Sequence, residues 1–206
     1  MPDRERGLSL AGILSHPVGM PPVPTEYIGI LSRFKCLELT PVKNSLLILL
    51  SGPEPQRTRF ENILFGELAG VIPETTVVRG LPDTDMPVPF IREGVKVYNH
   101  LGSEDLNKLI IQSEWILARS GYSTVMDLVK LKRTAILVPT PGQTEQEYLG
   151  RYLHDKKWMY SVPQKNFNLE KTLRAFQKIK LEIPEMPDSP LETVVKDLLN
   201  KISSQH

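Results

Sequence analysis

Short, unbroken runs of apolar residues alternate along this chain with stretches in which apolar residues recur every three or four positions. Residues 45–50 form one such run, bounded by Lys43-Asn44 and by Gly52-Pro53, as is typical of a strand buried on both faces. Residues 57–68 follow with helical spacing. Because strands that alternate with helices form βαβ units, the sequence predicts an α/β fold with a doubly wound parallel sheet.

The rest of the chain continues this alternation up to its last helix. Further strands are predicted at residues 75–78, 95–98, 115–117, 135–138 and 159–162, and further helices around residues 106–110 and at 123–131, 144–155, 169–179 and 191–202. The last of these helices carries an apolar stripe that either covers the domain's own sheet or packs on a partner domain. Residues 1–26 are rich in turn formers, and we interpret them as a linker or the remnant of an amino-terminal domain. The domain itself is expected to span residues 27–206.

Composition and charge narrow the class of protein. The chain has 206 residues and a net charge of +1, which gives no electrostatic footprint for nucleic acid. Cys36 is the only cysteine, which excludes an intramolecular disulfide and a zinc site built on several thiolates. A reducing, cytoplasmic compartment is therefore expected. The longest apolar run is far too short to cross a bilayer, so no transmembrane segment is expected.

Two loops that follow predicted strands combine glycine with hydroxyl or positively charged side chains. In open parallel sheets, ligands bind at the carboxyl ends of the strands, where these loops lie. Gly52 allows close approach of the backbone, and the helix after it offers N–H groups to a phosphate, although a tight turn alone would also explain the glycine. Gly121 comes before a second helix, in which Ser123 and Thr124 either cap the helix or bind an anion.

An acidic residue and a third loop extend this pattern toward a polyhydroxylated ligand. Asp127 either accepts hydrogen bonds from a ribose diol or compensates the dipole of its helix. The third loop contains Gln143, Gln146 and Glu147, and such amides and carboxylates suit sugar hydroxyls, which both donate and accept. The alternative for Glu147 is a capping box with Thr144 as the N-cap.

Two apparent metal signals do not predict a metal site. Asp83-Thr84-Asp85 has the Asp-x-Asp form found in metal-dependent glycosyltransferases, but here it lies between prolines in a surface loop. The four histidines are scattered without the spacing of metal ligands. We therefore expect no bound metal and no cofactor.

Together the three loops resemble the carboxyl-terminal domain of GT-B glycosyltransferases, in the family containing the enzyme that adds N-acetylglucosamine to the peptidoglycan lipid precursor. The strongest match is Arg119-Ser120-Gly121-Tyr122-Ser123-Thr124-Val125-Met126-Asp127, followed by Val138-Pro139 and then by Gln146. The resemblance covers about residues 27–165. It implies a Rossmann-like domain that binds a nucleotide-sugar donor, most simply a UDP-hexosamine.

The resemblance also implies a role for individual residues. The diphosphate would be held by Arg33, Gly52, Arg57, Ser120, Gly121 and Thr124. The ribose and base would be held by Asp127, His100 and Leu101, and the sugar by Gln143, Gln146 and Glu147. The sequence departs from the family at the ribose acid, where Glu is usual and Asp127 stands here, and at Glu147, which replaces a second Gln. Pro53 and Pro55 replace more flexible residues in the phosphate loop.

The implied reaction is inverting, metal-independent transfer of a hexosyl unit from a nucleoside diphosphate to an acceptor hydroxyl. The general base is expected in an amino-terminal acceptor-binding domain, supplied in cis or by a partner chain, so the isolated chain is expected to be inactive. The full protein is expected in the cytoplasm or at the inner face of the membrane. Two alternatives stay open: a non-catalytic donor-binding subunit of a two-chain transferase, and a GT-B-fold nucleotide-sugar 2-epimerase.

Overall fold

The structure is a computed structural model that describes residues 1–4, 7–19, 22–23, 25–69, 74–82, 84–187 and 189–203. The strands are β1 (Val42–Leu49), β2 (Glu74–Val78), β3 (Val95–Tyr98), β4 (Ser113–Ala118), β5 (Ile136–Leu137) and β6 (Tyr160–Ser161). The helices are α1 (Gln56–Leu68), α2 (Ser103–Gln112), α3 (Tyr122–Lys130), α4 (Thr144–Asp155), α5 (Leu169–Phe176) and α6 (Leu191–Ser203). A single 3-10 turn, Gly12–Leu14, comes before them.

The strands form one sheet in the order β3-β2-β1-β4-β5-β6, and every neighbouring pair is parallel. The chain therefore builds the sheet outward from β1 in one direction and then returns to add β4 beside β1. This reversal is the point at which a crevice opens in doubly wound sheets. The predicted Rossmann-like α/β fold is confirmed.

Alternate residues of β1 point to opposite faces of the sheet, which is why its apolar run is unbroken. Leu47 belongs to a core with buried side chains of α2, α3 and α4, such as Ile110, Leu128 and Leu153. Leu46 belongs to a second core on the other face with α1 and α5. The sheet is thus covered on both faces by helices of the same chain.

The amino-terminal segment, defined here as residues 1–4 and 7–16, packs on the domain. Leu10 is fully buried in the same core as Val125 of α3, and Asp3 is also fully buried. The interpretation of residues 1–26 as a linker or remnant concerned their origin, and it stays a prediction. What the structure adds is that the described part of this segment lies against α3 and α4.

Helix α6 presents apolar side chains to solvent. Val195 is 44% exposed, and Leu198 and Leu199 are each 57% exposed. This part of its apolar stripe therefore does not cover the domain's own sheet.

Candidate functional site

The crevice between β1 and β4 brings together the loops that the sequence singled out. Gly52 follows β1 and adopts a φ of +106°, which only glycine accepts without strain. A Cβ at Gly52 would lie 3.6 Å from the hydroxyl of Thr140, which follows β5. The loops after β1 and β5 therefore approach each other above the end of β4.

Helix α3 begins at this crevice with free backbone donors. Its first hydrogen bond runs from the N–H of Val125 to the carbonyl of Gly121 at 3.0 Å. The N–H groups of the three residues before Val125 thus have no partner within the helix and remain available to an anion. A Cβ at Gly121 would meet only the Thr124 hydroxyl, at 4.0 Å, so the protein itself does not require glycine there.

A cavity of about 300 Å³ lies beside α3 and gathers most of the predicted nucleotide-binding residues. Its lining includes Arg33, His100, Leu101, Thr124 and Asp127. His100 and Arg33 are exposed, whereas Leu101 packs against the core. All the residues expected to hold the ribose and base thus share one cavity with two of those expected to hold the diphosphate, although they come from three separate parts of the sequence.

Asp127 is placed to accept hydrogen bonds in this cavity. It is the sixth residue of α3, too far from the helix start to compensate the dipole there, so that alternative loses its basis. The Ser32 hydroxyl donates to its Oδ1 at 2.6 Å. Burial raises the pKa of this carboxyl above its ordinary value, even though the Ser32 hydrogen bond and the Arg33 charge act in the opposite direction.

A second cavity of about 560 Å³ lies next to the start of α3 and α4. It is lined by Ser120, Gly121, Gln143 and Gln146 together with residues of the amino-terminal segment. The Gln146 amide donates to Gln143 Oε1 at 2.5 Å and accepts from the Thr140 N–H at 3.0 Å. The Ser120 hydroxyl donates to the Gln146 carbonyl at 2.7 Å. The two amides and Ser120 therefore hold one another in place at the wall of this cavity. It is hereafter called the sugar cavity, after the ligand that the sequence predicts for these amides.

Glu147 lies apart from these amides. Its carboxylate accepts from the Gly142 N–H at 3.0 Å, and it lines a separate cavity of about 520 Å³ with Arg151 and His154. The capping box with Thr144 does not form, because α4 begins at Thr144 itself and its N-cap is Gln143. The structure thus separates Glu147 from the other two residues expected to contact the sugar.

Arg57 also differs from its expected place. Its guanidinium donates to Glu54 at 2.6 Å and to Glu61 at 2.7 Å, and only 5% of its side chain is exposed. Arg79 donates to the same Glu61 at 2.9 Å, so two guanidiniums and one carboxylate form a buried ionic cluster. The diphosphate role of Arg57 therefore finds no support, because its guanidinium is bound to these carboxylates. The Glu54 carboxylate also accepts from the Thr58 N–H and so occupies a donor of the first turn.

Arg119 belongs to the motif that carries the resemblance, but the resemblance implies no role for it. Its side chain is 1% exposed and donates to the carbonyls of Val138, at 3.1 Å, and Gln56, at 3.2 Å. It also lies over the Phe60 ring at 4.2 Å, and burial lowers its pKa to about 10. Within the described residues no carboxylate pairs with it. In the sequence, Arg119 comes directly after the apolar run of β4, and this position distinguishes it from the exposed arginines.

The described residues contain no group of three or more histidine, cysteine, aspartate or glutamate side chains that could hold a metal ion. Asp83, the first residue of the Asp-x-Asp motif, lies outside the part of the chain that the structure describes, and Asp85 is exposed. In the same described part, no helix is long and apolar enough to cross a membrane.

Fold and site together define a doubly wound α/β domain with a crevice at the carboxyl ends of its central strands. The family model for the glycosyltransferase family 28 C-terminal domain matches residues 93–202, which is more than half of the chain. The chain belongs to this family. No curated protein sequence matches the chain.

Solved structures of glycosyltransferases share the fold. The kitacinnamycin glycotransferase has a TM-score of 0.52 at 13% identity, over 72% of this chain and 38% of that one. Glycosyltransferase VinC in complex with dTDP has a TM-score of 0.50 at 10% identity, over 76% and 40%. MurG of Acinetobacter baumannii has a TM-score of 0.48 at 15% identity, over 75% and 48%. The chain thus spans less than half the length of these proteins, and at such identities the likeness concerns the fold alone.

Proposed function

We propose that this chain is the donor-binding half of an inverting, metal-independent glycosyltransferase that uses a UDP-hexosamine. The observation that carries the proposal is that one cavity contains Arg33, His100 and Asp127, with the sugar cavity on the other side of the start of α3. A nucleoside diphosphate sugar needs this arrangement, because its diphosphate joins a nucleoside at one end to a hexose at the other.

Each part of the donor has a chemical partner in this arrangement. The free N–H groups at the start of α3 and the guanidinium of Arg33 suit the diphosphate, which gains negative charge as the sugar leaves. The Asp127 carboxylate suits the ribose diol, and the amides of Gln143 and Gln146 suit the sugar. The nucleoside diphosphate bound to VinC supports the choice of donor class.

Metal is not needed in this proposal, because the N–H groups and Arg33 stabilise the leaving diphosphate themselves. The acceptor and the general base belong to an amino-terminal domain, in cis or on a partner chain. The exposed apolar residues of α6 support such a partner, and for this reason a donor-binding subunit of a two-chain transferase is the second candidate. We propose that the full protein lies in the cytoplasm or at the inner face of the membrane.

Titration calorimetry with UDP in the presence of EDTA tests donor binding. Half of a cleft is expected to bind UDP with a Kd of about 0.1–1 mM, or roughly 4–5.5 kcal/mol. Absence of binding at millimolar UDP, with or without Mg²⁺, would contradict the proposal. Binding only with Mg²⁺ would contradict metal independence alone.

Asp127→Asn tests the ribose contact. The amide loses the charge assistance of a carboxylate that accepts from a diol, so the affinity for UDP should fall by about 1–2 kcal/mol while that for 2′-deoxy-UDP changes less. A protonated carboxyl loses the same charge assistance. As the pH is lowered, Asp127 becomes protonated and the wild-type preference for UDP should decline. Because burial raises the pKa of Asp127, this decline should begin at a higher pH than for an ordinary aspartate. An unchanged ratio of the two affinities would show that Asp127 does not contact the ribose.

A further inference from the structure

We propose that the amino-terminal segment forms one wall of the sugar cavity and determines how tightly the hexosyl group of the donor is held. The inference rests on the proposed function, and it assigns a binding role to residues that we first interpreted as a linker or remnant. It draws on three observations: how the segment folds on itself, how it is attached, and which of its side chains line the cavity.

The segment is organised around a buried carboxylate. Asp3 accepts from the N–H groups of Leu10, at 2.7 Å, and Ala11, at 3.2 Å, and from the hydroxyl of Ser9 at 2.7 Å. The Ser15 hydroxyl also donates to it. A carboxylate buried in this way is stable only when donors surround it, so Asp3 fixes the segment in one closed conformation.

Tyrosines on the domain attach this conformation to α3 and α4. The Tyr152 hydroxyl donates to the Ser9 carbonyl at 3.0 Å, and the Tyr148 hydroxyl accepts from the Ile13 N–H at 3.0 Å. The Tyr122 hydroxyl donates to the Pro2 carbonyl. Because these contacts involve the backbone of the segment, they hold its position without using the side chains that face the cavity.

Glycine at position 12 is required by this attachment. Gly12 has a φ of +51°, and a Cβ there would collide with the Tyr148 hydroxyl. The close approach of the segment to α4 therefore depends on a residue without a side chain. A chain that only passed over the surface would need no such fit.

The segment contributes the apolar side of the sugar cavity. Four of its lining residues, Met1, Pro2, Ala11 and Leu14, are apolar, and the hydroxyl of the fifth, Ser15, donates to Asp3. Gln143 and Gln146, whose amides suit hydroxyls, line the same cavity. A hexosyl ring has hydroxyls at its edge and C–H groups on its faces, so it matches a cavity with one amide wall and one apolar wall. The segment thus contacts an apolar face of the hexose.

The double variant Tyr148→Phe/Tyr152→Phe tests the inference by loosening the segment while leaving the lining of the cavity unchanged. We expect faster hydrogen exchange at the Leu10 and Ala11 amides. The affinity for UDP-N-acetylglucosamine should fall about three- to tenfold, while that for UDP stays the same. Tyr160→Phe, on β6 and away from the segment, is the matched control and should change neither affinity.

A second variant narrows the cavity without disturbing the attachment. Leu14→Trp should weaken UDP-N-acetylglucosamine and leave UDP unaffected, because Leu14 lines the sugar cavity and is 41% exposed. If the wild-type protein binds UDP but both variants keep the wild-type ratio of the two affinities, the segment is not a wall of the sugar site. If the wild-type protein does not bind UDP, the proposed function fails first, and the two failures are therefore distinguishable.

Discussion

Two glycines in the crevice illustrate how one residue type serves different purposes. Gly52 needs its φ of +106°, whereas Gly121 has an ordinary φ of −70° and open space around it. The backbone conformation alone explains why position 52 is glycine. It does not explain the glycine at position 121, whereas the need to leave room for a ligand does.

Gly121→Ala should therefore affect ligand binding, and Gly52→Ala should affect the stability of the fold. Gly121→Ala should leave the free energy of unfolding within about 0.5 kcal/mol of the wild type but weaken UDP binding. Gly52→Ala should destabilise the fold by about 1–3 kcal/mol because its φ is strained for alanine. Denaturant unfolding and calorimetry on both proteins check this. If Gly121→Ala binds UDP as the wild type does, the start of α3 is not the diphosphate site.

Arg119 contributes to the crevice in a way that differs from Arg33. It joins the start of α1 to the loop after β5 by donating to their carbonyls, and no carboxylate among the described residues neutralises its charge. A charge that is buried and unpaired in this way acts over a longer range than an exposed one, because water and salt screen it less. We therefore expect Arg119 to act as a positioning residue whose field favours an anion nearby.

Arg119→Met is expected to weaken UDP more than uridine. For charges about 10 Å apart at an effective dielectric constant of about 20, the loss is roughly 1–2 kcal/mol. Arg119→Lys keeps the charge and should retain more of the UDP affinity. Calorimetry with both ligands on variants shown to be folded provides the measurement. Equal losses for UDP and uridine would mean that Arg119 acts only by supporting the loops.

At the scale of elements, periodicity predicted the sheet and its helices well because burial on both faces leaves few other patterns. The stretch at residues 95–98 coincides with β3, and α4 spans Thr144–Asp155 as predicted. Prediction was weaker where a side chain had a choice of partners. Arg57 follows a glycine loop in sequence but pairs with Glu61 one turn later in α1, and periodicity cannot show which direction a long side chain takes.

The amino-terminal segment was harder still to anticipate. Its contacts join Ser9 to Tyr152 and Ile13 to Tyr148, which are more than 130 residues apart in the chain. No local pattern encodes such pairs. Turn formers such as Gly12 predicted an irregular backbone, but they carried no information about what that backbone packs against.

Helix α6 supplies a prediction about elements. Changing Leu198 and Leu199 to Gln should alter the free energy of unfolding of this chain by less than about 0.5 kcal/mol for each residue, because both are 57% exposed. Leu173→Ala in α5, at 6% exposure, is the buried control and should cost about 2–5 kcal/mol. Chemical denaturation of the three proteins checks this. A large loss from the α6 changes would show that the helix stabilises its own domain.

At the scale of the whole molecule, the 206-residue chain alone should show no sugar transfer to lipid or saccharide acceptors. Transfer needs donor and acceptor in contact and a base on the acceptor hydroxyl, and the proposed function assigns only the donor to this chain. Supplying an amino-terminal domain, fused or in trans, should restore turnover. Incorporation of radiolabelled sugar is the measurement. Multiple turnover by the chain alone would place the base within it.

The sheet has a consequence for how such proteins diversify. Both of its faces are covered by helices of this chain, so its core gains nothing from a neighbouring domain. Under the proposed function, joining this domain to a different acceptor half would leave both cores intact. New acceptor specificities would then arise by recombination of intact halves rather than by stepwise remodelling of a shared interior.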